Sequence, residues 1–294
     1  MGASVNSSDA VAWFQMTRSF EAVKRFVLQT SVGRALLVPH RLRTALSYCT
    51  PQLGQALRWT FSSRELANFT YNLTPRNREY LAHMVSVVTG TPYSSALDYL
   101  NEIDNDEDMK GRIQSRIAES SMRHCYDPVF AVGRRMGWYA FVRILKPKVI
   151  IETGVDKGHG SVVLCAALIR NEGEGFPGQY YGTDINPRAG YLLTDPYSRV
   201  GKILYGDSLQ SLNKIAEIDV FINDSDHSAE YERREYEAIL PKLRPGGIIL
   251  GDNSHATSIL AKFSEEHGRQ FLFFREQPED HWYPGAGIGI SFEG

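Results

Sequence analysis

Residues 218–255 constrain the fold of this chain more than any other stretch. They contain two short apolar runs, 220–222 and 248–250, and polar residues directly follow each run. A short apolar run bounded by turn-forming residues is typical of a buried parallel strand. The residues between the runs have helical spacing, and the Pro-Gly-Gly sequence at 245–247 is expected to end that helix. The sequence therefore predicts a strand–helix–strand unit.

The polar residues that follow the two runs are expected to meet at one edge of the sheet. Asp224 and His227 follow the first run, and Asp252 and Asn253 follow the second. Parallel strands carry these residues to the same edge, which is where open α/β sheets bind their ligands. We therefore expect the four side chains to converge, although 28 positions separate the two aspartates.

The composition is that of an ordinary globular protein, with 43% apolar and 22% charged residues in a chain of 294. Acidic residues outnumber basic residues by two, so the net charge gives no argument for nucleic acid or an anionic membrane as a partner. No apolar run approaches the ~18 residues that a transmembrane helix needs. The three cysteines lack metal-type spacing and favour a reducing, cytoplasmic location without structural disulfides.

The first part of the chain has helical patterns and no strand alternation, from about residue 11 to 118. Thr74 is predicted to cap a helix that has proline at its first position and ends near Gly90. A further helix at 93–103 and an acidic loop at 104–108 are expected to follow.

These patterns predict an all-helical N-terminal region, 1–125, and a core, 126–294. The helical region could act as a lid, form part of a substrate pocket or make a homodimer contact. The sequence leaves these alternatives open.

A second strand–loop–helix unit follows a bulky helix that is predicted at 127–145. Its strand ends in Glu152, and a glycine-rich loop leads to an apolar helix. Glycines allow the backbone to approach a ligand closely, and a helix N-terminus offers free N–H groups. Asp156 occupies the place of the second glycine in the dinucleotide-binding fingerprint. Carboxylates here would repel a pyrophosphate and suit a ligand with an amine, a sulfonium and a ribose. The pattern reads Glu152-x-Gly154-x-x-x-Gly158-x-Gly160-Ser161.

This pattern resembles the first motif of class I S-adenosylmethionine (SAM) methyltransferases. The next strand, 179–183, ends in Asp184, where such enzymes place the acid that accepts both ribose hydroxyls. Residues 203–208 resemble the motif whose acid, here Asp207, or neighbouring backbone contacts the adenine. Each acid could instead cap a helix or end a turn. The resemblance implies a Rossmann-like α/β core of seven strands with an antiparallel last strand. The cofactor-binding residues that it implies are Glu152, Gly154, Gly158, Ser161, Asp184, Asp207 and Asp224.

Within that class, the chain is similar to the metal-dependent O-methyltransferases. The similarity implies that Asp224, Asp252 and Asn253 hold a divalent ion such as Mg²⁺, which takes oxygen ligands. It also implies that His227, three residues after the first ligand, is the general base. Gly251 departs from the sugar-modifying members, which have a glutamate at that position.

Several further polar residues lie near these motifs. Asp226 is an additional acid that could replace either a ligand or the base. His255 is a rival base, whereas His159 is expected to contact the cofactor loop rather than to catalyse. Three residues could meet an anionic substrate, but a solvated helix face is the expected position for them; they are His124, Arg134 and Arg135.

The end of the chain is expected to add a helix at 254–267 and two antiparallel strands, 271–274 and 288–292. The loop before the last strand carries His281, Trp282 and Tyr283. These aromatic side chains could line the acceptor site or pack on the N-terminal helices.

The resemblance thus implies a SAM-dependent O-methyltransferase that acts on a hydroxyl of a small molecule, such as a phenol, a catechol, a sugar or a secondary metabolite. Two alternatives remain open at this stage. One is a metal-independent O- or N-methyltransferase that acts through His227 or Asp226. The other is a SAM-binding protein without catalytic activity.

Overall fold

The structure is a computed structural model that describes residues 21, 23–26, 29–66, 69–127, 129–226 and 228–294. Spatial contacts divide the chain into two compact units, Met1–Arg58 and Trp59–Gly294. The first unit contains α1 (Ser31–Leu36) and most of α2 (Val38–Ser62), which continues into the second unit. The hydroxyl of Thr30 accepts a hydrogen bond from the N–H of Gly33 and so caps α1.

Three further helices belong to the same compact unit as the sheet. They are α3 (Pro75–Thr89), α4 (Tyr93–Asp104) and α5 (Glu107–Glu119). The predicted cap of α3 is confirmed, because the Thr74 hydroxyl accepts from the N–H of Asn77 at 3.3 Å.

The acidic loop expected at 104–108 is shorter than predicted. Asp106 caps α5, and Glu107 and Asp108 lie in its first turn. Negative side chains are favourable there because they face the positive end of the helix dipole.

The long helix expected at 127–145 is wrong in its first half, because α6 spans only Arg135–Leu145. Gly133 has a positive φ of 57°, and a methyl group added there would lie 3.1 Å from the carbonyl oxygen of Tyr71. This close packing holds the backbone in a left-handed conformation that a helix cannot continue through. The helix therefore begins only after Gly133.

The sheet has seven strands in the order β3-β2-β1-β4-β5-β7-β6, and β7 is antiparallel to both of its neighbours. This arrangement confirms the predicted Rossmann-like core and the antiparallel hairpin at its edge. The strands are β1 (Val149–Thr153), β2 (Gln179–Asp184), β3 (Gly201–Tyr205), β4 (Ile218–Asn223), β5 (Leu243–Gly251), β6 (Gln270–Arg275) and β7 (Gly287–Phe292).

Strand β5 begins earlier than the sequence predicts. Leu243 already pairs with Ile218, and the register then shifts so that Val220 pairs with Ile248. The Pro-Gly-Gly sequence lies in this irregular part of the strand, because a bulge accommodates both a residue without an N–H and a positive φ at Gly246. The expected helix end is thus a bulge in the strand.

Four helices complete the α/β core: α7 (His159–Gly173), α8 (Ser208–Leu212), α9 (Ala229–Ile239) and α10 (Ile259–Glu266). The helix expected at 254–267 starts five residues late, because Asp252–His255 form a 3₁₀ turn first. In the part of the chain that the structure describes, no helix is long and apolar enough to cross a bilayer.

Two apolar clusters lie against the sheet. Ile150 of β1 belongs to the cluster that contains Trp138, and the next residue, Ile151, belongs to the cluster that contains Tyr236. Successive residues of a strand point to opposite faces, so β1 contributes to both cores. Burial on both sides fixes the register of the central strands and so the positions of their polar ends.

Candidate active site

A cleft of about 820 Å³ lies at the carboxyl ends of the central strands. The sheet order reverses between β1 and β4, and such a switch point is where open α/β sheets bind ligands. Six of the predicted site residues line the cleft: Glu152, Gly154, Asp184, Asp207, Asp224 and Asp252. Three others do not line it: Gly158, Ser161 and Asn253. His227 lies outside the residues that the structure describes.

Gly154 allows the cofactor loop to touch the end of β4. Its φ is 81°, and a methyl group added there would lie 1.9 Å from the carbonyl oxygen of Asp224. The N–H of Asp224 donates to the carbonyl of Thr153 at 2.9 Å, so the two strand ends are joined directly before the glycine. Any side chain at position 154 would separate the loop from the strand.

Glu152 is a buried carboxyl group at the base of the cleft. It accepts hydrogen bonds from the hydroxyls of Tyr180 and Ser161. Burial raises the pKa of Glu152 to about 7, although these hydrogen bonds and the nearby Arg135 act in the opposite direction. Ser161 thus supports Glu152 from behind instead of facing the cleft.

Asp184 connects two loops at the cleft wall. Its carboxylate accepts from the N–H of Asp156 at 2.9 Å and from the N–H of Asn186 at 2.8 Å. Asp207 caps α8 by accepting from the N–H of Gln210 at 3.0 Å, and it also lines the cleft. Both acids therefore have a structural role in addition to facing the place where a ligand would bind.

Asp224 and Asp252 form an interacting pair of carboxyl groups where β4 and β5 end. Burial and the charge of Asp252 raise the pKa of Asp224 well above its usual range. Burial also acts against the charged form of Asp252. The guanidinium of Arg134 and a hydrogen bond from Asp224 outweigh burial and lower the pKa of Asp252. Asp224 therefore holds a proton more strongly than Asp252 does.

Arg134, for which the sequence favoured a solvated helix face, lines the cleft instead. Its Nε lies 2.6 Å from Oδ1 of Asp252, and its Nη1 lies 3.3 Å from Oε1 of the buried Glu276. Tyr71 donates its hydroxyl hydrogen to the other oxygen of Glu276. The guanidinium is therefore fixed between two carboxylates from distant parts of the chain.

The solvated helix face expected for Arg134 and Arg135 is wrong, because both residues line the cleft at the point where the shortened α6 begins. His124, in contrast, is exposed and does not line the cleft, as expected. The only sequence signal for this difference was Gly133, which can end or delay a helix.

The residues fit the implied divalent ion only in part. Asp224 and Asp252 face the cleft, and one oxygen of Asp252 is engaged by Arg134. Within the described part of the chain, the Oδ1 of the buried Asn253 has no hydrogen-bond partner, and Asn253 does not line the cleft. Among the described residues, no three acidic, histidine or cysteine side chains form a group suited to a metal ion. Of the three predicted ligands, only Asp224 and Asp252 therefore line the cleft.

Two described histidines line the cleft. Nδ1 of His255 lies 2.9 Å from the carbonyl oxygen of Asp252. His159 is buried and stacked on Phe130, with ring centroids 5.0 Å apart. Burial, followed by Arg135 and Lys157, lowers its pKa well below the usual range, so its ring is neutral. Its Nε2 has no hydrogen-bond partner among the described residues.

The aromatic loop before β7 both lines the cleft and packs against a preceding helix. Tyr283 lines the cleft, and so do Phe69 and Tyr71, which precede α3. Trp282 packs against Trp59 at the end of α2, with ring centroids 5.2 Å apart. Residues that precede the sheet in the sequence thus contribute aromatic side chains to the wall of the cleft.

The fold and the cleft define a Rossmann-like ligand-binding domain. Residues 151–254 match a family described as a methyltransferase domain, and this segment contains the strand ends that carry the six lining residues. The predicted enzyme class, a SAM-dependent methyltransferase, is thereby confirmed. A search of curated proteins found no match.

Several solved structures are similar to this chain. The O-methyltransferase TomG from Streptomyces achromogenes, in complex with SAM, is 14% identical with a TM-score of 0.45, covering 65% of this chain and 92% of that one. The O-methyltransferase from Bacillus cereus, in complex with SAH, is 15% identical with a TM-score of 0.43, covering 71% and 100%. The SAH-bound methyltransferase PaMTH1 from Podospora anserina is 14% identical with a TM-score of 0.45, covering 78% and 100%.

Proposed function

We propose that this protein transfers the methyl group of SAM to a hydroxyl oxygen of a small molecule, such as a phenol, a catechol, a sugar or a secondary metabolite. One observation carries the proposal: Asp224, Asp252 and Arg134 form a charged cluster in the same cleft as the glycine loop. Methyl transfer from a sulfonium is an in-line displacement, so the enzyme has to align the two substrates and take up the hydroxyl proton.

The cofactor would occupy the part of the cleft beside β1 and β2. In this proposal Glu152 contacts the amine of SAM, Asp184 holds the ribose diol and Asp207 lies beside the adenine. Gly154 and Gly158 keep the backbone close to the ligand. Ser161 acts on the ligand only through Glu152, because it lies behind that carboxyl group.

The acceptor hydroxyl would lie beside Asp224 and Asp252, with His227 as the predicted general base. The magnesium ion implied by the resemblance stays a prediction. When bound, such an ion would lower the pKa of the acceptor hydroxyl. To complete the predicted ligand set, Asn253 would have to turn towards the cleft.

A metal-independent transfer to oxygen is a second candidate, and the 2.6 Å ion pair of Arg134 with Asp252 favours it. A largely buried guanidinium would supply a fixed positive charge beside the acceptor. His227 or Asp226 would then take the proton without help from an ion.

The predicted cytoplasmic location and the option of a homodimer also stay predictions.

Labelled SAM, offered with a panel of phenols, catechols, sugars and amines, tests the proposed function. We expect label on an oxygen acceptor, identified by mass spectrometry of the product. Transfer only to amines would contradict the proposal. Binding of SAH without transfer to any acceptor would favour a non-catalytic protein.

The same assay with chelator separates the two forms of the proposal. Loss of activity in chelator, with recovery on addition of Mg²⁺ or Mn²⁺, supports the ion. In that case Asp252→Ala should abolish the response to metal while SAH still binds. Full activity in chelator supports the metal-independent form.

A further inference from the structure

Helix α2 carries a stripe of exposed apolar side chains. The helix has 25 residues, none of them buried, and extends for about 37 Å. Five aliphatic side chains on it are 51–61% exposed: Val38, Leu42, Leu46, Leu53 and Leu57. At 100° per residue all five fall within one sector of the helix, and we refer to them as the α2 stripe. A contiguous stripe of exposed apolar side chains is a surface feature that marks an interaction site.

All charged side chains of helix α2 are basic, because the helix contains no acidic residue. Arg41 and Arg43 lie on either side of the α2 stripe by helical geometry, and His40 lies opposite it. Residues 1–58 have seven lysines and arginines against two acidic residues, whereas residues 59–294 have 25 against 32. The small net charge of the whole chain therefore conceals a basic first unit and an acidic second one.

We propose that α2 lies in the plane of an anionic lipid surface, with the α2 stripe among the acyl chains and the arginines at the phosphates. A basic amphipathic helix of low overall hydrophobicity is the usual element for this mode of binding. Long arginine side chains can extend from the edge of an apolar stripe to the headgroups. The predicted absence of a membrane partner was based on the net charge of the whole chain, which does not describe this unit.

Two other occupants fit the helix less well. A second copy of the chain would bring two basic helices together, and like charges oppose that contact. A nucleic acid would be attracted by the arginines but would leave the α2 stripe exposed, because phosphate contacts need no apolar surface. A lipid surface satisfies both features of the helix at once. The proposal does not depend on which acceptor the enzyme methylates.

Co-sedimentation of the full chain with vesicles tests this inference. We expect binding to vesicles that contain phosphatidylglycerol, weak binding to vesicles of phosphatidylcholine alone, and weaker binding as the salt concentration rises. Replacing both Arg41 and Arg43 with glutamine should lower the affinity by about fivefold for each arginine removed.

A matched pair of variants separates the stripe from the charge. Leu46→Glu and Thr44→Glu change the net charge equally on the same exposed part of α2, but only Leu46 belongs to the stripe. We expect Leu46→Glu to lower the vesicle affinity at least ~10-fold, and Thr44→Glu to lower it by about fivefold at most. SAH affinity, measured for each variant by titration calorimetry, should equal that of the wild type and so show that the second unit is folded.

Three outcomes would overturn the inference. The first is a wild-type chain that does not bind anionic vesicles. The second is an equal loss of binding in Leu46→Glu and Thr44→Glu, which would make the attraction purely electrostatic, as with a nucleic acid. The third is a dimer in solution that Leu46→Glu dissociates while vesicles do not bind, which would assign the α2 stripe to a second copy. None of these outcomes would affect the test of methyl transfer.

Discussion

The two walls of the cleft use their carboxyl groups in different ways. On the side where we propose that the cofactor binds, the cofactor wall of Glu152 and Asp184, each carboxyl is held by hydroxyl or backbone N–H donors from nearby loops and strands. On the side where we propose that the methyl acceptor binds, the acceptor wall of Asp224, Asp252 and Arg134, the ionisable side chains hold one another. The first arrangement fixes a binding surface in advance. The second depends on a balance of charges that an approaching substrate can alter.

The largest expected effect concerns His227, the proposed general base beside the acceptor wall. If His227 is the general base, His227→Ala should lower turnover by ~10²–10⁴-fold, and higher pH should restore part of it by ionising the acceptor directly. Steady-state rates across a pH series provide the measurement. Asp226→Asn is the matched control, because Asp226 also lines the cleft. A silent His227→Ala together with an inactive Asp226→Asn would move the role to Asp226.

The next effect tests whether the acceptor wall depends on Arg134. Arg134→Met should lower turnover by roughly 100-fold if the guanidinium supplies the charge beside the acceptor, and Arg134→Lys should restore part of the rate. SAH affinity should stay within about twofold of the wild type, since the cofactor wall is unchanged. Removing the cation from between Asp252 and Glu276 should also cost about 3 kcal/mol of unfolding free energy.

Calorimetry measures the SAH affinity of the Arg134 variants, chemical denaturation measures their unfolding free energy, and the methyl-transfer assay measures their turnover. A variant that loses stability but keeps its turnover would assign Arg134 to the fold alone. Equal losses of SAH affinity and turnover would show that the two walls are not independent.

The raised pKa of Glu152, in the cofactor wall, predicts that folding stability depends on pH. In the folded protein the pKa of Glu152 is about 7, above the usual 4.5. The folded state keeps this proton between those two values while the unfolded state releases it, so folding stability falls as the pH rises through this window and then levels off. The loss is on the order of 3 kcal/mol.

Denaturant unfolding at several pH values tests the prediction for Glu152. Glu152→Gln should lose this component of the pH dependence, whereas Glu265→Gln, at an exposed position, should keep it. Identical pH profiles for wild type and Glu152→Gln would contradict the assignment.

The smallest expected effect is confined to the cofactor. If Asp184 holds the ribose diol, Asp184→Ala removes its charge-assisted hydrogen bonds to the ribose, so SAH affinity should fall by more than ~10-fold. The N–H groups of Asp156 and Asn186 donate to different oxygens of Asp184, so Asp184→Asn keeps an acceptor for only one of them. Chemical denaturation of both variants therefore measures the loss of loop support separately from the loss of ribose binding. Unchanged affinity in both variants would remove Asp184 from the cofactor site.

The sequence by itself determined the elements and their order. Apolar runs, glycines and turn residues act locally, and so they predicted the strand that ends in Glu152 and the antiparallel final hairpin. They also predicted that Asp224 and Asp252 meet at one edge, because parallel strands leave no other arrangement. These features follow from backbone geometry and from the periods of helix and strand.

Only the tertiary structure decided which side chains pair within the cleft. Gly133 delays α6 because it packs against the carbonyl of Tyr71, and that delay places Arg134 in the cleft. Arg134 then meets Asp252 and Glu276, which lie more than a hundred residues further along the chain. Asn253 follows Asp252 directly in the sequence, yet it does not line the cleft. Such pairings depend on contacts between distant segments, and no local period or spacing encodes them.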